Sequence, residues 1–134
     1  MKVTRSNFVR SLAVIALSAL VPASLAFAQM SMTSGKFAGP KANTGTVTHS
    51  VEMGKSILRV SADFKVPDTP APTWRVVDSK GNIYTLDAFK VKAGNGEKRE
   101  VMVPSYVHDI VKVQVYCAYA EVLLGEASFS SPVM

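Results

Sequence analysis

Alternation of apolar and polar side chains with a period of two is the feature that most limits how this chain can fold. Over residues 58–64, Leu, Val, Ala and Phe alternate with Arg, Ser and Asp. This pattern is typical of a β-strand with one buried face and one solvent-exposed face. No stretch after residue 42 shows apolar residues at the three-to-four-residue spacing of an amphipathic helix. The pattern therefore predicts an all-β protein.

Turn-forming residues divide the chain into short segments. Strands are expected at residues 44–53, 58–64, 73–78, 83–89, 100–103, 110–119 and 121–129. The proline-rich stretch 67–72 should lie outside the sheets because proline lacks the N–H group that a ladder needs. Gly125 is expected to break the last strand, and one helical turn could form at 105–109. Seven to eight short antiparallel strands at this spacing predict a β-sandwich or flattened barrel.

Residues 1–28 have the three parts of a cleavable signal peptide. Lys2, Arg5 and Arg10 give a positive start, residues 11–21 are apolar, and Ala26-Phe27-Ala28 provides small residues before Gln29. A helix over the apolar run would span roughly 17 Å, well short of the ~30 Å hydrocarbon core of a membrane. An uncleaved membrane anchor is the alternative. The sequence thus predicts export to the periplasm or secretion.

Cleavage changes both the charge and the domain organisation. Of the 15 Lys and Arg residues, three leave with the signal, while all 10 Asp and Glu residues remain, so the net charge falls from +5 to +2. This is too little for a nucleic-acid-binding surface. The expected organisation is a flexible lead-in at residues 29–34 followed by a single β domain at 35–130. We expect a monomer or a weakly associating protein that does not span a membrane.

Cys117 is the only cysteine in a chain with an export signal. The alternation of its strand places the thiol on the apolar face, which it is expected to share with Val111, Val113, Val115 and Tyr119. A single cysteine in this setting is buried and inert, paired between molecules, or a reactive thiol. A reactive thiol requires some exposure and a nearby positive charge or helix N-terminus. The sequence shows neither feature, so burial in the core is the simpler interpretation.

Other candidate sites are weaker. His49 and His108 lack the spacing of metal ligands, so no metal site is expected. A nucleophile set of Cys117, His108 and Asp109 can be formulated, but nothing resembling a nucleophile elbow surrounds the cysteine.

The methionines of the lead-in also fail to define a site. Met30 and Met32 could in principle bind Cu(I) through their thioethers, but two methionines at the start of the mature chain are more simply incidental. No haem-attachment motif or phosphate-binding loop is present. The sequence therefore identifies no cofactor.

The order of short motifs along the chain resembles the DM-thirteen domain family, whose members are related to the DOMON β-sandwiches. The matching pieces run from about residue 35 to 129: G-x-F at 35–37, NTGTV at 43–47, LRV at 58–60, DFK at 63–65, WRVV at 74–77, LDAFK at 86–90, VMVP at 101–104, VQVYC at 113–117 and LGEA at 124–127. The V-x-V-x-C block with the following G-x-A is the most distinctive of them.

The resemblance implies an all-β domain in which Cys117 takes part in redox or electron-transfer chemistry with a redox partner or a component of the cell envelope. Two family features are missing. The family has a Gly-Pro-Asp step before the Trp74 strand, where this chain has Ala71-Pro72-Thr73, and a histidine before the 43–47 segment, where this chain has Lys41 or Ala42. Two functions are therefore expected: a redox role centred on Cys117, or a non-catalytic binding or structural module with Cys117 in its core. An enzyme with its own turnover is not favoured.

Overall fold

Two antiparallel sheets of four strands each build the domain. The computed structural model describes residues 30–91 and 96–134. Its strands are β1 (Met32–Thr33), β2 (Val47–Glu52), β3 (Lys55–Val60), β4 (Pro72–Val77), β5 (Ile83–Ala88), β6 (Glu100–Met102), β7 (Ile110–Cys117) and β8 (Val122–Val133). The strand order is β1-β2-β3-β6 in the first sheet and β5-β4-β7-β8 in the second. The expectation of an all-β sandwich with about eight strands is confirmed.

The predicted signal peptide, residues 1–28, lies outside the described residues. Within the described part, the chain forms strands and turns but no helix. Accordingly, none of it forms a helix that is long and apolar enough to cross a membrane. The helical turn considered for residues 105–109 is replaced by a turn in which the Val107 N–H donates to the Pro104 carbonyl at 3.0 Å.

Aromatic side chains form the centre of the core. Trp74 of β4 is fully buried and stacks on Phe89 with ring centroids 4.4 Å apart. Phe89 packs against Phe64 at 5.5 Å, and Phe64 packs against Phe37 at 4.9 Å. Because these residues come from β4 and from the segments after β5, after β3 and before β2, the stack joins distant parts of the chain. Offset or tilted aromatic pairs at these distances contribute about 0.5–1.5 kcal/mol each beyond the burial of their surface.

The segment before β2 is more ordered than the sequence predicts. Residues 29–34 are expected to form a flexible lead-in, but β1 at Met32–Thr33 pairs with β2, and further along Ala38 pairs with Glu126 of β8. The side chain of Phe37, between these contacts, is only 2% exposed. The segment has few strand-forming residues, so its pairing comes from the open edges of β2 and β8 and from the burial of Phe37. Local propensity does not reveal such long-range partners.

Two further expectations need correction. Pro72 was assigned to the loop, but it is the first residue of β4 and lies opposite Cys117. The first position of a strand tolerates proline, and the Pro72 carbonyl still accepts a hydrogen bond from the Phe89 N–H at 2.9 Å. Gly125 was expected to break the last strand, but β8 runs through it to Val133.

Gly125 is instead required by a close approach of two chain segments. A methyl group added at Gly125 would lie 2.1 Å from the carbonyl oxygen of Ala42, and one added at Gly39 would lie 2.3 Å from the Cα atom of Gly125. Only hydrogen atoms fit at this crossing. A glycine inside a strand often marks such a contact between backbones.

We expect Gly125→Ala to lower the free energy of unfolding by about 2–3 kcal/mol, because the new methyl group collides with backbone atoms that cannot move independently. Gly35→Ala is the matched control, since its methyl group would lie 3.8 Å from the nearest atom, the Ser128 carbonyl oxygen. Urea unfolding of the two variants measures the difference. Equal stability of the two variants would contradict the close crossing.

Candidate functional site

Cys117 lies at the end of β7, opposite Pro72 of β4 and Val122 of β8. Its side chain is 1% exposed and belongs to the hydrophobic core. Val113 and Val115, on the same face of the strand, are fully buried, as the alternation predicts. The thiol is thus packed inside one end of the sandwich.

Two residues assigned to this face depart from the prediction. Val111 is half-buried, because the register of β7 and β8 shifts between Ile110 and Lys112, and Ile110 occupies the core instead. Tyr119 is 79% exposed, because the strand ends at Cys117 and the following residues form a turn. A bulge and a strand end both break the period of two, and neither is visible in the pattern of residue types.

The thiol sulfur is surrounded by hydrogen-bond donors rather than by charged groups. The turn at residues 118–121 folds back so that the Ala120 N–H donates to Cys117 Sγ at 3.5 Å. The same turn is held by the Glu121 N–H, which donates to the Cys117 carbonyl at 2.8 Å, and Glu121 adopts a left-handed backbone conformation with φ of 55°. The strand end therefore shapes the surroundings of its own last side chain.

The proline-rich loop forms the other wall of the site. The Ala118 N–H donates to the Ala71 carbonyl at 2.9 Å, which ties the turn to the loop. Thr69 Oγ1 is buried and forms no hydrogen bond with any described residue. The Lys90 ammonium donates to the Thr69 carbonyl at 2.9 Å and closes the loop from outside. The thiol is reached from solvent only if this loop or the turn moves.

The pKa of the Cys117 thiol is lowered from its ordinary value. The donation from Ala120 is the largest cause, and burial acts against it. The N–H groups of Ala71 and Tyr119 and the Thr69 hydroxyl add to the lowering. Hydrogen bonds to the charged form favour a thiolate, whereas burial in apolar surroundings disfavours it. The site combines a thiol that deprotonates more readily than usual with very little access.

The structure does not bring the formulated nucleophile set together. His108 and Asp109 precede β7, whereas Cys117 ends it, so the length of the strand, roughly 25 Å, separates them. Asp109 instead accepts hydrogen bonds from the Ser79 N–H at 2.8 Å and the Ser79 hydroxyl at 2.5 Å. No group of three or more metal-ligating side chains occurs in residues 30–91 and 96–134.

His49 is a buried core residue. It is 2% exposed and forms a 2.6 Å hydrogen bond through Nε2 with the Ser56 hydroxyl on the neighbouring strand β3. Burial lowers the pKa of its imidazole.

The methionines of the lead-in form no ligand group. Met30 is 83% exposed, and the Met32 sulfur accepts a 3.8 Å hydrogen bond from the Ser131 hydroxyl. Met32 lies opposite His49 in the pairing of β1 with β2.

The sequence does not single out a second polar cluster around Asp78. Burial raises the pKa of this carboxyl, but donation from Asn82, Tyr84 and Lys80 outweighs burial, so its pKa is lowered. These donors lie 2.8–3.0 Å from the Asp78 oxygens. A small cavity of about 110 Å³ adjoins the cluster, with His108 and Asp109 on its wall. The Lys80 and Asn82 donors come from the turn that follows β4, and Tyr84 comes from β5, so the cluster stabilises that turn. The D-x-K-G-N sequence at 78–82 is the signal that could have revealed it.

In comparisons with known proteins, no family model, no curated protein and no solved structure matches this chain.

We expect the stability of the protein to fall as the pH is lowered below about 6.5, the ordinary pKa of histidine. The folded state holds His49 neutral, so the unfolded state binds more protons in this range and is favoured as the pH drops towards the lowered pKa of the folded state. The stability that the neutral His49 contributes is fully present above the pKa that this histidine has in the unfolded state. Urea unfolding at a series of pH values measures it.

A His49→Gln variant should lose this part of the pH dependence, and a His108→Gln variant, changed at an exposed histidine, should keep it. An unchanged pH profile in His49→Gln would show that other groups account for the acid sensitivity.

Proposed function

We propose that this protein is an exported, non-catalytic binding or structural module of the cell envelope, in which Cys117 is a core residue. The observation that carries the proposal is the 1% exposure of the Cys117 side chain at the closed end of the sandwich. The export signal at residues 1–28 supports the location. A free cysteine in such surroundings acts as a small apolar side chain.

The chemistry around the thiol also supports a packing role. The sulfur accepts a hydrogen bond from the Ala120 backbone N–H, and no histidine or carboxylate among the described contacts can transfer a proton to or from it. The chain has no second cysteine to form or resolve an internal disulfide. A general acid or base within hydrogen-bond reach is the usual companion of a catalytic thiol.

A redox role for Cys117 is the second candidate, and the lowered pKa of its thiol favours it. The resemblance to the DM-thirteen domain family supports the same role. In such a reaction, the Cys117 thiolate attacks a disulfide of a partner protein, an S–S bond forms between Cys117 and one partner sulfur, and the other partner sulfur leaves as a thiolate. This step requires the proline-rich loop or the 118–121 turn to open first.

Thiol reactivity separates the two functions. We expect Cys117 of the folded protein to react with an aromatic disulfide reagent at least about a hundredfold more slowly than in the unfolded chain at neutral pH, because the sulfur is inaccessible. The rate is followed through the coloured thiolate that the reagent releases. Reaction in the folded state as fast as in the unfolded chain would refute the packing role and favour the redox role.

Cys117→Ala supplies the control for the reagent, because the chain contains no other thiol. A second variant, Thr69→Val, removes the hydroxyl that contributes to the lowered pKa of the thiol. If the loop controls access, the Thr69→Val variant still reacts slowly with the reagent. The pKa of its thiol, however, rises. This pKa is measured from the absorbance of the thiolate in the ultraviolet. A faster reaction in this variant would show that the hydroxyl holds the loop closed.

A further inference from the structure

Three side chains on the outer face of the second sheet form one row across adjacent strands. Arg75 of β4 lies opposite Gln114 of β7, and Gln114 lies opposite Glu126 of β8. Neighbouring strands are about 4.8 Å apart. The row thus presents a positive charge, a neutral amide and a negative charge in sequence, and we name it the Arg-Gln-Glu row.

The strand that carries Gln114 occupies the middle of its layer. Strands β4 and β5 lie on one side of β7, while β8 and the segment at Ala38, which pairs with Glu126, lie on the other. Two copies can stack with these faces against each other, related by a twofold axis that runs parallel to β7 between the two faces. This axis places β4 of one copy opposite β8 of the other. Arg75 of each copy then faces Glu126 of the second copy, and the two Gln114 side chains face each other.

Arg75 has no counter-ion within the described part of the chain. Its guanidinium lies 4.0 Å from the centre of the Tyr116 ring but takes part in no salt bridge or hydrogen bond there. Its Nε atom is buried without an acceptor. A guanidinium held in place by an aromatic ring is well suited to receive a carboxylate from outside.

Gln114 has the second unmet hydrogen bond of the row. Its side chain is more than nine-tenths buried, and its Nε2 donates one hydrogen to Glu126 Oε2 at 3.0 Å. Its Oε1 atom is buried and has no donor among the described residues. Because this atom is shielded from solvent, a second copy cannot reach it, and Gln114 acts as a neutral spacer between the two charges.

We propose that the Arg-Gln-Glu row is a self-complementary interface through which two copies of this chain form a weak symmetric dimer. It contains two Arg75–Glu126 ion pairs, one on each side of the axis. The ammonium group of Lys112, the other cation near the row, is 3.6 Å from Glu126 Oε1 and so leans towards β8. This inference does not depend on the role of Cys117.

The size of the face sets the strength of the dimer. Four strands, whose paired segments are about six to eight residues long, give a face of roughly 20 by 20 Å. This is about half of the ~800 Å² that each partner contributes to a standard stable interface. The dimer is therefore expected to dissociate in the micromolar range or above, and exposed ion pairs make it sensitive to salt.

Sedimentation of the mature protein, residues 29–134, at concentrations up to about 1 mM in low salt tests the proposal. Wild type should show a monomer–dimer equilibrium. Arg75→Glu and Glu126→Arg should each associate at least about tenfold more weakly, because each places like charges opposite one another. An equimolar mixture of the two variants should associate as wild type does, because every Glu then faces an Arg.

Lys80→Glu, a charge reversal of the same size at an exposed turn residue, is the control and should leave association unchanged. Circular dichroism and thermal unfolding check that each variant is folded. For the wild type alone, raising NaCl from about 0.05 to 0.5 M should weaken association several-fold. A monomeric wild type at all concentrations, salt-independent association, or single variants that associate like wild type would overturn the proposal.

Discussion

The aromatic stack from Trp74 through Phe89 and Phe64 to Phe37 is the contact on which the rest of the structure depends. The four rings come from four separated parts of the chain and meet in the core. The Trp74 indole N–H donates to the Lys98 carbonyl at 3.0 Å, so its one polar atom is also satisfied. The Arg99 side chain donates to the Ser61 and Phe64 carbonyls, which fixes the loop that presents Phe64. Packing at this centre positions both sheets and the end of the sandwich at which Cys117 lies.

Residue types predict the strands well because each strand has a buried and an exposed face. The alternation in β3 and β7 and the turn residues between strands place most strands within a few residues of their observed bounds. Pairing over long distances is not encoded locally, and the ordered path of Ala38 along β8 was therefore missed. The burial of Cys117 follows from alternation, whereas its N–H donors depend on the backbone path of the 118–121 turn, which residue types do not define.

Cys117 shows how a backbone can tune a side chain without any charged neighbour. A thiol at the end of a strand has the next turn folded over it, and the N–H groups of that turn point at the sulfur. Such donors favour the thiolate, but the same turn blocks access to it. Stabilisation of the thiolate and loss of access therefore oppose each other in any chemistry that needs a solvent-accessible nucleophile. A conformational change at the proline-rich loop would be required to separate them.

The pairing of the first described residues with the last strand affects the time at which the fold can be completed. Gly35 and Ala38 bond to Ser128 and Glu126, so one edge of the second sheet is finished only after β8 has emerged and returned to the start of the chain. Contacts between residues so far apart in sequence slow folding, because a long loop must close first. The first described segment therefore stays without its partner until the last strand is available.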